Sequence, residues 1–200
     1  MIVQEGDDNW IYDRMKGIGA SDVPGILGTC DFKTPESVLK SKIVFEKFEG
    51  NFATQRGHLL EPIAVDMFCR PRLLTYKKER MAYSKWKTLV SSFDGLTDEH
   101  IIEAKAPALW KHTLALCGIV PDTYKDQLQA QLLCGQKKSN FYVSFHPDLP
   151  EDFQLAVIEV FPDRKRQAEI LWECRRFWRR VIQAKKDLSL EKPDLPSSSP

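Results

Sequence analysis

The stretch Ser91-Ser-Phe-Asp-Gly-Leu-Thr-Asp-Glu-His-Ile-Ile-Glu-Ala-Lys105 has the pattern of a short β-hairpin that carries two acids and a lysine. Residues 88–93 and the pair Ile101-Ile102 have the apolar and β-branched content of two strands. If residues 97–100 form the turn, Asp94 lies directly opposite Glu103, and Lys105 lies on the same face. The stretch therefore predicts two antiparallel strands with ionisable side chains gathered on one face.

The facing acids of this hairpin need a partner. Cβ atoms opposed in this way lie roughly 5 Å apart, and facing like charges destabilise a sheet unless something offsets them. A divalent cation would offset Asp94 and Glu103, and carboxylate oxygens of this kind suit Mg²⁺ or Mn²⁺. The alternative is a solvated hairpin whose tip carries Asp98 and Glu99.

The composition describes an ordinary globular protein of 200 residues with a formal net charge of +1. We expect one domain over residues 1–188 and a disordered Pro/Ser-rich tail over residues 189–200. The five cysteines are scattered, which argues against a disulfide framework and a zinc site. Because no apolar run approaches the roughly 20 residues of a membrane span and no signal peptide is visible, we expect a cytoplasmic protein without membrane contact.

Strand and helix patterns alternate along the chain and predict a mixed central sheet flanked by helices, an α/β fold. The predicted helices cover residues 21–27, 34–47, 53–69, 108–117, 124–134 and 163–187, and the predicted strands cover residues 79–86, 88–94, 101–105, 140–145 and 153–161. The last helix is rich in lysine and arginine, so it either faces DNA, pairs with acidic neighbours or is solvated.

Two further sites could hold a phosphate or a metal. Ser21 is a good N-cap behind two glycines, and the start of a helix binds anions, so Arg14 could complete a phosphate pocket there. Glu61 lies off the apolar stripe of its helix, one turn after Gly57, which leaves room for a ligand. The alternatives are a plain cap with a surface arginine at the first site and a solvated glutamate at the second. Gln127 either reaches the site or is simply exposed.

Several segments together resemble a known family. These segments are Gly17-Ile-Gly-Ala-Ser21-Asp, Gly57-His-Leu-Leu-Glu61-Pro-Ile-Ala, Phe93-Asp94-Gly-Leu, Glu103-Ala-Lys105-Ala-Pro and Tyr124-x-x-Gln127-Leu-Gln129. Their order and approximate spacing are similar to those of the lambda-exonuclease-like, or YqaJ-type viral recombinase, branch of the PD-(D/E)xK nucleases. The resemblance covers roughly residues 14–145 and implies a restriction-endonuclease-like core.

The resemblance implies a role for each matching residue. Two Mg²⁺ ions, with Mn²⁺ as a possible substitute, would be held by Glu61, Asp94, Glu103 and the backbone carbonyl of Ala104. Lys105 and Gln127 would help to place the attacking water, although Lys105 could instead only neutralise the acids. The terminal 5′-phosphate would be gripped by Arg14, Gly19 and Ser21, with Lys111 nearby. Relatives can have a hydroxyl residue where this chain has Gly19, so that contact must come from the backbone or be missing.

The resemblance also implies an activity. Family members are ring-shaped homotrimers that degrade one strand of linear double-stranded DNA from 5′ to 3′ and leave a 3′ single strand for an annealing protein. We therefore expect a Mg²⁺-dependent 5′ to 3′ exonuclease. The alternatives are an endonuclease or junction resolvase on the same fold, and a DNA-binding or scaffold protein without catalysis.

Overall fold

The computed structural model describes residues 14–44 and 52–188. The predictions for residues 45–47 and for the tail at residues 189–200 lie outside these ranges. Within them, no helix combines the length and the apolar character that a membrane span requires.

The described strands form one mixed sheet, as predicted. They are β1 (Ile18–Gly19), β2 (Lys77–Ala82), β3 (Leu89–Leu96), β4 (His100–Lys105), β5 (Ser139–Phe145) and β6 (Leu155–Val160). The order is β1-β3-β4-β5-β6, and β2 pairs with β3 as well. The β1–β3 and β4–β5 pairs are parallel, and the other neighbours are antiparallel. These two parallel pairs, a short one at β1–β3 and a full-length one at β4–β5, make an otherwise antiparallel sheet mixed.

The helices lie close to their predicted positions. They are α1 (Val23–Leu27), α2 (Pro35–Ile43), α3 (Phe52–Cys69), α4 (Leu109–Leu116), α5 (Asp122–Gly135) and α6 (Arg164–Asp187). The hydroxyl of Thr34 accepts a hydrogen bond from the Ser37 N–H at 3.2 Å, and the carboxylate of Asp163 accepts one from the Arg166 N–H at 3.0 Å. These caps satisfy backbone donors that the first turn of a helix leaves free. At the other end, α1 stops at Gly28, whose φ of 72° is left-handed.

The hairpin of β3 and β4 has the predicted register. Gly95 pairs with Ile102 and Leu96 with Ile101. The same register, continued by one residue, places Asp94 opposite Glu103. Asp98-Glu99 is not a preferred two-residue hairpin loop. The hydroxyl of Thr97 compensates, because it accepts hydrogen bonds from the backbone N–H of His100 at 2.9 Å and of Glu99 at 3.3 Å. A side chain thus supplies the bonds that hold the turn.

The helices cover the two faces of the sheet. On one face, α3 packs Ala64, Val65 and Phe68 against apolar side chains of β4 and β5. On the other face lie α5 and, outside it, α6, with a core that includes Leu132, Ile170 and Phe177. Because side chains alternate along a strand, β4 sends Ile102 and Ala104 to α3 and Glu103 to α5.

Two details of the prediction were wrong. The strand predicted at residues 79–86 ends at Ala82, because residues 83–86 turn back and the N–H of Trp86 bonds to the carbonyl of Tyr83 at 3.0 Å. On α6 the residue spacing predicts an apolar seam of Leu171, Cys174, Trp178, Val181 and Ile182. Ile182 is 43% exposed, however, whereas Ile170 and Phe177 are buried. The helix rotates its buried stripe toward α1 and α5, and sequence periodicity alone left two neighbouring stripes possible.

Candidate active site

The end of β4 brings together the acids and the lysine predicted from the sequence. The Nζ of Lys105 bonds to the carboxylate of Glu103 and lies 3.8 Å from Oε1 of Glu61. It also donates to the carbonyl of Ala104 at 3.2 Å. Glu61 belongs to α3, so it reaches this point from the face of the sheet opposite to Glu103. The open end of the strand lets both faces contribute to one cluster.

Asp94 joins the cluster through the backbone of β4. Its Oδ2 accepts a hydrogen bond from the N–H of Ala104 at 3.0 Å, two residues beyond Ile102, where the backbone pairing of β3 with β4 ends. The carboxylate thus takes the place of a backbone acceptor on the neighbouring strand. This bond aims Asp94 at the same strand end as Glu103.

The charges of the cluster are strongly coupled. Burial, then the negative charge of Glu103, raises the pKa of Asp94 well above its ordinary value, and Glu61 adds to the effect while Lys105 opposes it. Burial would lower the pKa of Lys105, but Glu103, Glu61 and Asp94 outweigh it and raise that pKa well above its ordinary value. Lys105 is therefore an ammonium at neutral pH, and it is the cation that the acids share in this structure.

Two glutamines of α5 hold Glu103. The amide of Gln127 donates to Oε1 at 2.5 Å, and the amide of Gln131 donates to Oε2 at 2.5 Å. The Oε1 of Gln131 in turn accepts a bond from the side-chain amide of Asn140 at 2.7 Å. Gln127 therefore reaches the site, which is one of the two positions that the sequence left open for it. Gln131 was missed, although its position four residues after Gln127 puts both on one helix face.

The Gln131 contacts lead to a testable expectation. The change Gln131→Leu removes a buried donor from Glu103 and leaves the Asn140 amide without its acceptor. We expect a loss of about 1–3 kcal/mol in the free energy of unfolding and, in a nuclease assay, a loss of roughly 10- to 100-fold in rate. Denaturant titration and initial rates measure the two effects. Gln183→Leu, at an exposed glutamine of α6, is the control and should change neither. A Gln131→Leu protein with normal rate would show that Glu103 needs no such support.

The donor set has the chemistry of a site for a hard divalent cation. It consists of three carboxylates and the carbonyl of Ala104, and a Cβ added at Gly57 would lie 3.4 Å from Oε1 of Glu61, so the glycine keeps the approach open. Within residues 14–44 and 52–188, however, no three acidic, imidazole or thiol groups already stand close enough together to hold a metal. The acids fit the ion by type, and binding it requires them to move closer.

The predicted phosphate pocket contains a buried carboxylate. Asp22 accepts from Nη2 of Arg14 at 2.9 Å, from Nζ of Lys42 at 2.6 Å and, more weakly, from Nζ of Lys33 at 3.4 Å. The N–H of Gly19 also donates to it, at 3.1 Å. Burial would raise the pKa of Asp22, but Lys42, Arg14 and Lys33 outweigh it and hold that pKa well below its ordinary value. Among the described residues, three cations face this one acid, so these four side chains together carry a net positive charge.

The prediction that Ser21 caps a helix was wrong. Residues 20–22 form a 3₁₀ turn, α1 begins after Asp22, and neither start has a side-chain cap. The carbonyl of Ser21 accepts a bond from Nζ of Lys33 at 3.1 Å. The carboxylate of Asp22 accepts a hydrogen bond from the Gly19 N–H and lies among three cations. This turn packs against α5, the helix that carries Gln127.

Lys111 lies at the start of α4. Its Nζ is 2.5 Å from Oδ2 of Asp31 and is surrounded by aromatic rings. A phosphate here would share the ammonium with Asp31. The structure thus gives Lys111 an acidic partner that the sequence did not suggest.

A large cavity opens beside Asp31, the partner of Lys111. It has a volume of about 930 Å³ and is lined in part by Thr29, Asp126 and Arg166. Arg166 donates to both carboxylate oxygens of Asp126, and Thr29 donates to one of them. This arrangement ties α1, α5 and α6 together, and none of the predicted site residues lines the cavity. The chemistry therefore points to the end of β4, where the ionisable groups converge.

The fold places the chain in a class of known structures. The alkaline exonuclease LHK-Exo from Laribacter hongkongensis superposes with a TM-score of 0.79 at 24% identity, covering 92% of this chain and 96% of that one. The same enzyme in complex with dAMP gives 0.79 at 23% identity, covering 91% and 96%. A phage-related exonuclease from Haemophilus somnus 129PT gives 0.67 at 17% identity, covering 86% and 96%.

The sequence identifies the family more narrowly. Residues 9–138 match the family model of the YqaJ-like viral recombinase domain, and this match spans more than half of the chain. The chain therefore belongs to the YqaJ-like viral recombinase family. No curated protein sequence matches it.

Proposed function

We propose that this protein is a metal-dependent exonuclease that degrades one strand of linear double-stranded DNA from its 5′ end and leaves a 3′ single strand. The observation that carries the proposal is the convergence of Glu61, Asp94, Glu103 and Lys105 at one strand end of a YqaJ-like domain. The names of the similar structures, an alkaline exonuclease and a phage-related exonuclease, support the same activity.

The metal would be Mg²⁺, with Mn²⁺ as a substitute. Glu61, Asp94, Glu103 and the carbonyl of Ala104 would hold two ions. When bound, such a pair activates a water for attack on the phosphodiester and stabilises the departing oxygen. Its positive charge would also oppose the burial and the negative charge of Glu103 that together raise the pKa of Asp94.

The chain's own residues prepare this site. Gln127 and Gln131 each donate to one oxygen of Glu103, so the carboxylate cannot rotate freely. Lys105 is a cation within reach of two of the acids, and it can donate hydrogen bonds to a phosphate oxygen or to the attacking water. An ammonium has no lone pair with which to accept a proton. We therefore assign Lys105 to positioning and charge stabilisation.

The positive cluster around Asp22 would select the DNA end. Arg14 and Lys33 are about one-third exposed, whereas Lys42 is buried, so the first two can meet a terminal 5′-phosphate. Gly19 and Ser21 would add contacts from the turn. A Cβ at position 19 would come within 3.3 Å of Oδ2 of Asp22, which accounts for glycine there. Lys111 would support this phosphate site only through its charge, because Asp31 already pairs with its ammonium.

The oligomeric state and the partner protein follow from the family resemblance and are proposals as well. The protein would act as a homotrimeric ring around duplex DNA. A phage-type single-strand annealing protein would receive the 3′ strand. With a net charge of only +1, retention on DNA would depend on the ring and on local positive clusters more than on overall charge.

Linear and covalently closed circular duplexes distinguish the exonuclease from the alternatives. With Mg²⁺ we expect the linear form to be digested, the closed circle to be spared, and EDTA to stop the reaction. Cleavage of the circle would instead indicate an endonuclease or resolvase on the same fold. Binding of both forms without cleavage would indicate a DNA-binding protein.

Arg14→Ala should remove the preference for a phosphorylated 5′ end. A charge-assisted hydrogen bond contributes about 1.5–3 kcal/mol, so we expect the rate ratio between phosphorylated and unphosphorylated ends to fall roughly 10- to 100-fold. The measurement is kcat/KM on two duplexes that differ only in that phosphate. Arg179→Ala, at an exposed arginine of α6, should leave the ratio unchanged. If Arg14→Ala lowers kcat/KM equally on the phosphorylated and unphosphorylated duplexes, Arg14 does not recognise the 5′-phosphate.

A further inference from the structure

The side chain of Lys111 organises a cluster of aromatic rings beside the site. Its Nζ lies 5.8 Å from the ring centre of Phe32, 5.1 Å from that of Trp110 and 5.4 Å from that of Tyr124. The ammonium is buried and paired with Asp31. One ion pair thus holds rings from the segment after α1, from α4 and from α5 around a single point.

Two of these rings face solvent. Phe32 is 69% exposed and Trp110 is 60% exposed. Single exposed apolar side chains are common on protein surfaces. A phenylalanine and a tryptophan that share one cation are a different case, because the ammonium lies over both rings and holds them near one point.

This aromatic cluster is continuous with the candidate active site. The Tyr124 ring lies 5.6 Å from the ring of Tyr142, and Tyr142 is the β5 partner of Glu103 in the parallel ladder. Tyr124 is also one turn before Gln127, whose amide bonds to Glu103. Tyr124 and Tyr142 therefore connect the exposed rings with the acids.

We propose that Phe32 and Trp110 form a stacking platform for unpaired nucleobases at the end of the DNA that is being cut. This inference rests on the proposed function and names the contacts that hold the substrate there. Bases within a duplex already cover each other's faces, so exposed rings of this kind select bases that have separated from the stack. Stacking tolerates any base, which suits an enzyme that removes nucleotides regardless of sequence.

The ion pair explains why a base, rather than a phosphate, is the partner of this platform. Asp31 already bonds to Lys111, so the cation has an acidic partner and mainly fixes the rings. The phosphates of the same strand would meet the positive cluster around Asp22 and the metal site. Base and phosphate would thus contact different parts of the protein.

The test compares two ligands and three variants in EDTA, which keeps the DNA intact. The ligands are a fluorescent duplex with a two-nucleotide forked end and the same duplex with abasic residues in the fork. The variants are Trp110→Ala, Phe32→Ala and, as a matched control, Trp172→Ala, since Trp172 is 58% exposed on α6. Anisotropy gives the dissociation constants, and digestion of linear duplex with Mg²⁺ is measured in parallel.

We expect Trp110→Ala and Phe32→Ala each to weaken binding of the forked duplex roughly tenfold. The abasic fork should weaken wild-type binding by a similar factor, and the two losses should not add. Trp172→Ala should behave as wild type. Unchanged binding by both platform variants, or equal losses on normal and abasic forks, would overturn the proposal. A changed oligomeric state with unchanged DNA binding would also overturn it and make these rings a subunit contact.

The two proposals fail in different ways. If wild-type protein binds the fork through the rings but never digests linear duplex, the proposed function is wrong and the platform stands. If digestion occurs and the rings make no difference to the forked end, the platform is wrong and the function stands. Wild-type protein that neither binds nor digests DNA would overturn both.

Discussion

Replacing Lys105 with methionine is expected to abolish digestion of linear duplex DNA while leaving DNA binding intact. Methionine keeps most of the volume of the side chain but removes the ammonium that lies against Glu103 and Glu61. Loss of a positioned charge at a reacting phosphate costs on the order of 10² to 10⁴ in rate. Initial rates with Mg²⁺, beside anisotropy on the same duplex in EDTA, measure the two properties.

The same variant separates a catalytic role from a structural one. Without the ammonium, the acids repel one another, so metal-free Lys105→Met should be less stable than wild type. Added Mg²⁺ should raise its melting temperature more than that of wild type, because the ion replaces the missing positive charge. Lys186→Met, at an exposed lysine of α6, is the control and should digest DNA normally. A near-normal rate in Lys105→Met would refute the assignment of the site.

Replacing Asp22 with alanine should give the largest loss of stability. The change leaves Nζ of Lys42, a side chain that is 1% exposed, without the carboxylate 2.6 Å away. Breaking a buried pair by removing one partner costs about 3–5 kcal/mol, which is a large share of the roughly 5–15 kcal/mol that stabilises a typical domain. Denaturant titration at pH 7 measures the loss.

A double variant makes this expectation specific. Asp22→Ala with Lys42→Met removes both charges, and apolar replacement of a buried pair is often close to neutral. The double variant should therefore regain much of the stability that the single one loses. If the double variant is as unstable as Asp22→Ala, the cost comes from something other than the unpaired ammonium.

The pKa of Asp22 also predicts a dependence on pH. Because the folded pKa is held well below the unfolded value of about 4, the contribution of Asp22 to stability is fully present above pH 4. It is lost as the pH falls from about 4 through the folded pKa. Wild-type protein should therefore lose stability over that acidic range, and the double variant should lose less of it.

Local patterns in the sequence predicted the hairpin and most of the helices. The alternation of residues around Asp94 and Glu103 gave the correct register, since a slip of one residue would turn every side chain to the other face. Thr34 and Asp163 marked helix starts because their caps act within three residues. Features of this kind depend on neighbours in the chain and are visible without a structure.

Long-range partners were not predictable in the same way. Lys42 pairs with Asp22 across 20 residues, and Lys111 pairs with Asp31 across 80. Nothing in the composition near these lysines distinguishes them from solvated ones. The two-residue strand β1 was also missed, because it exists only through pairing with Leu89 and Val90. Gln131 could have been predicted, since its spacing from Gln127 places both residues on one helix face.

The measurement that tests the central claim most directly follows both ends of one strand. A linear, 5′-phosphorylated duplex carries one label at the 5′ end and a different label at the 3′ end of the same strand, and product sizes are followed with Mg²⁺. We predict early release of the 5′ label as a short product, while the 3′ label stays on strands that shorten progressively. EDTA and Lys105→Met should stop both changes. Release of the 3′ label first, or unchanged digestion in EDTA, would contradict a metal-dependent 5′ to 3′ exonuclease built on Asp94, Glu103 and Lys105.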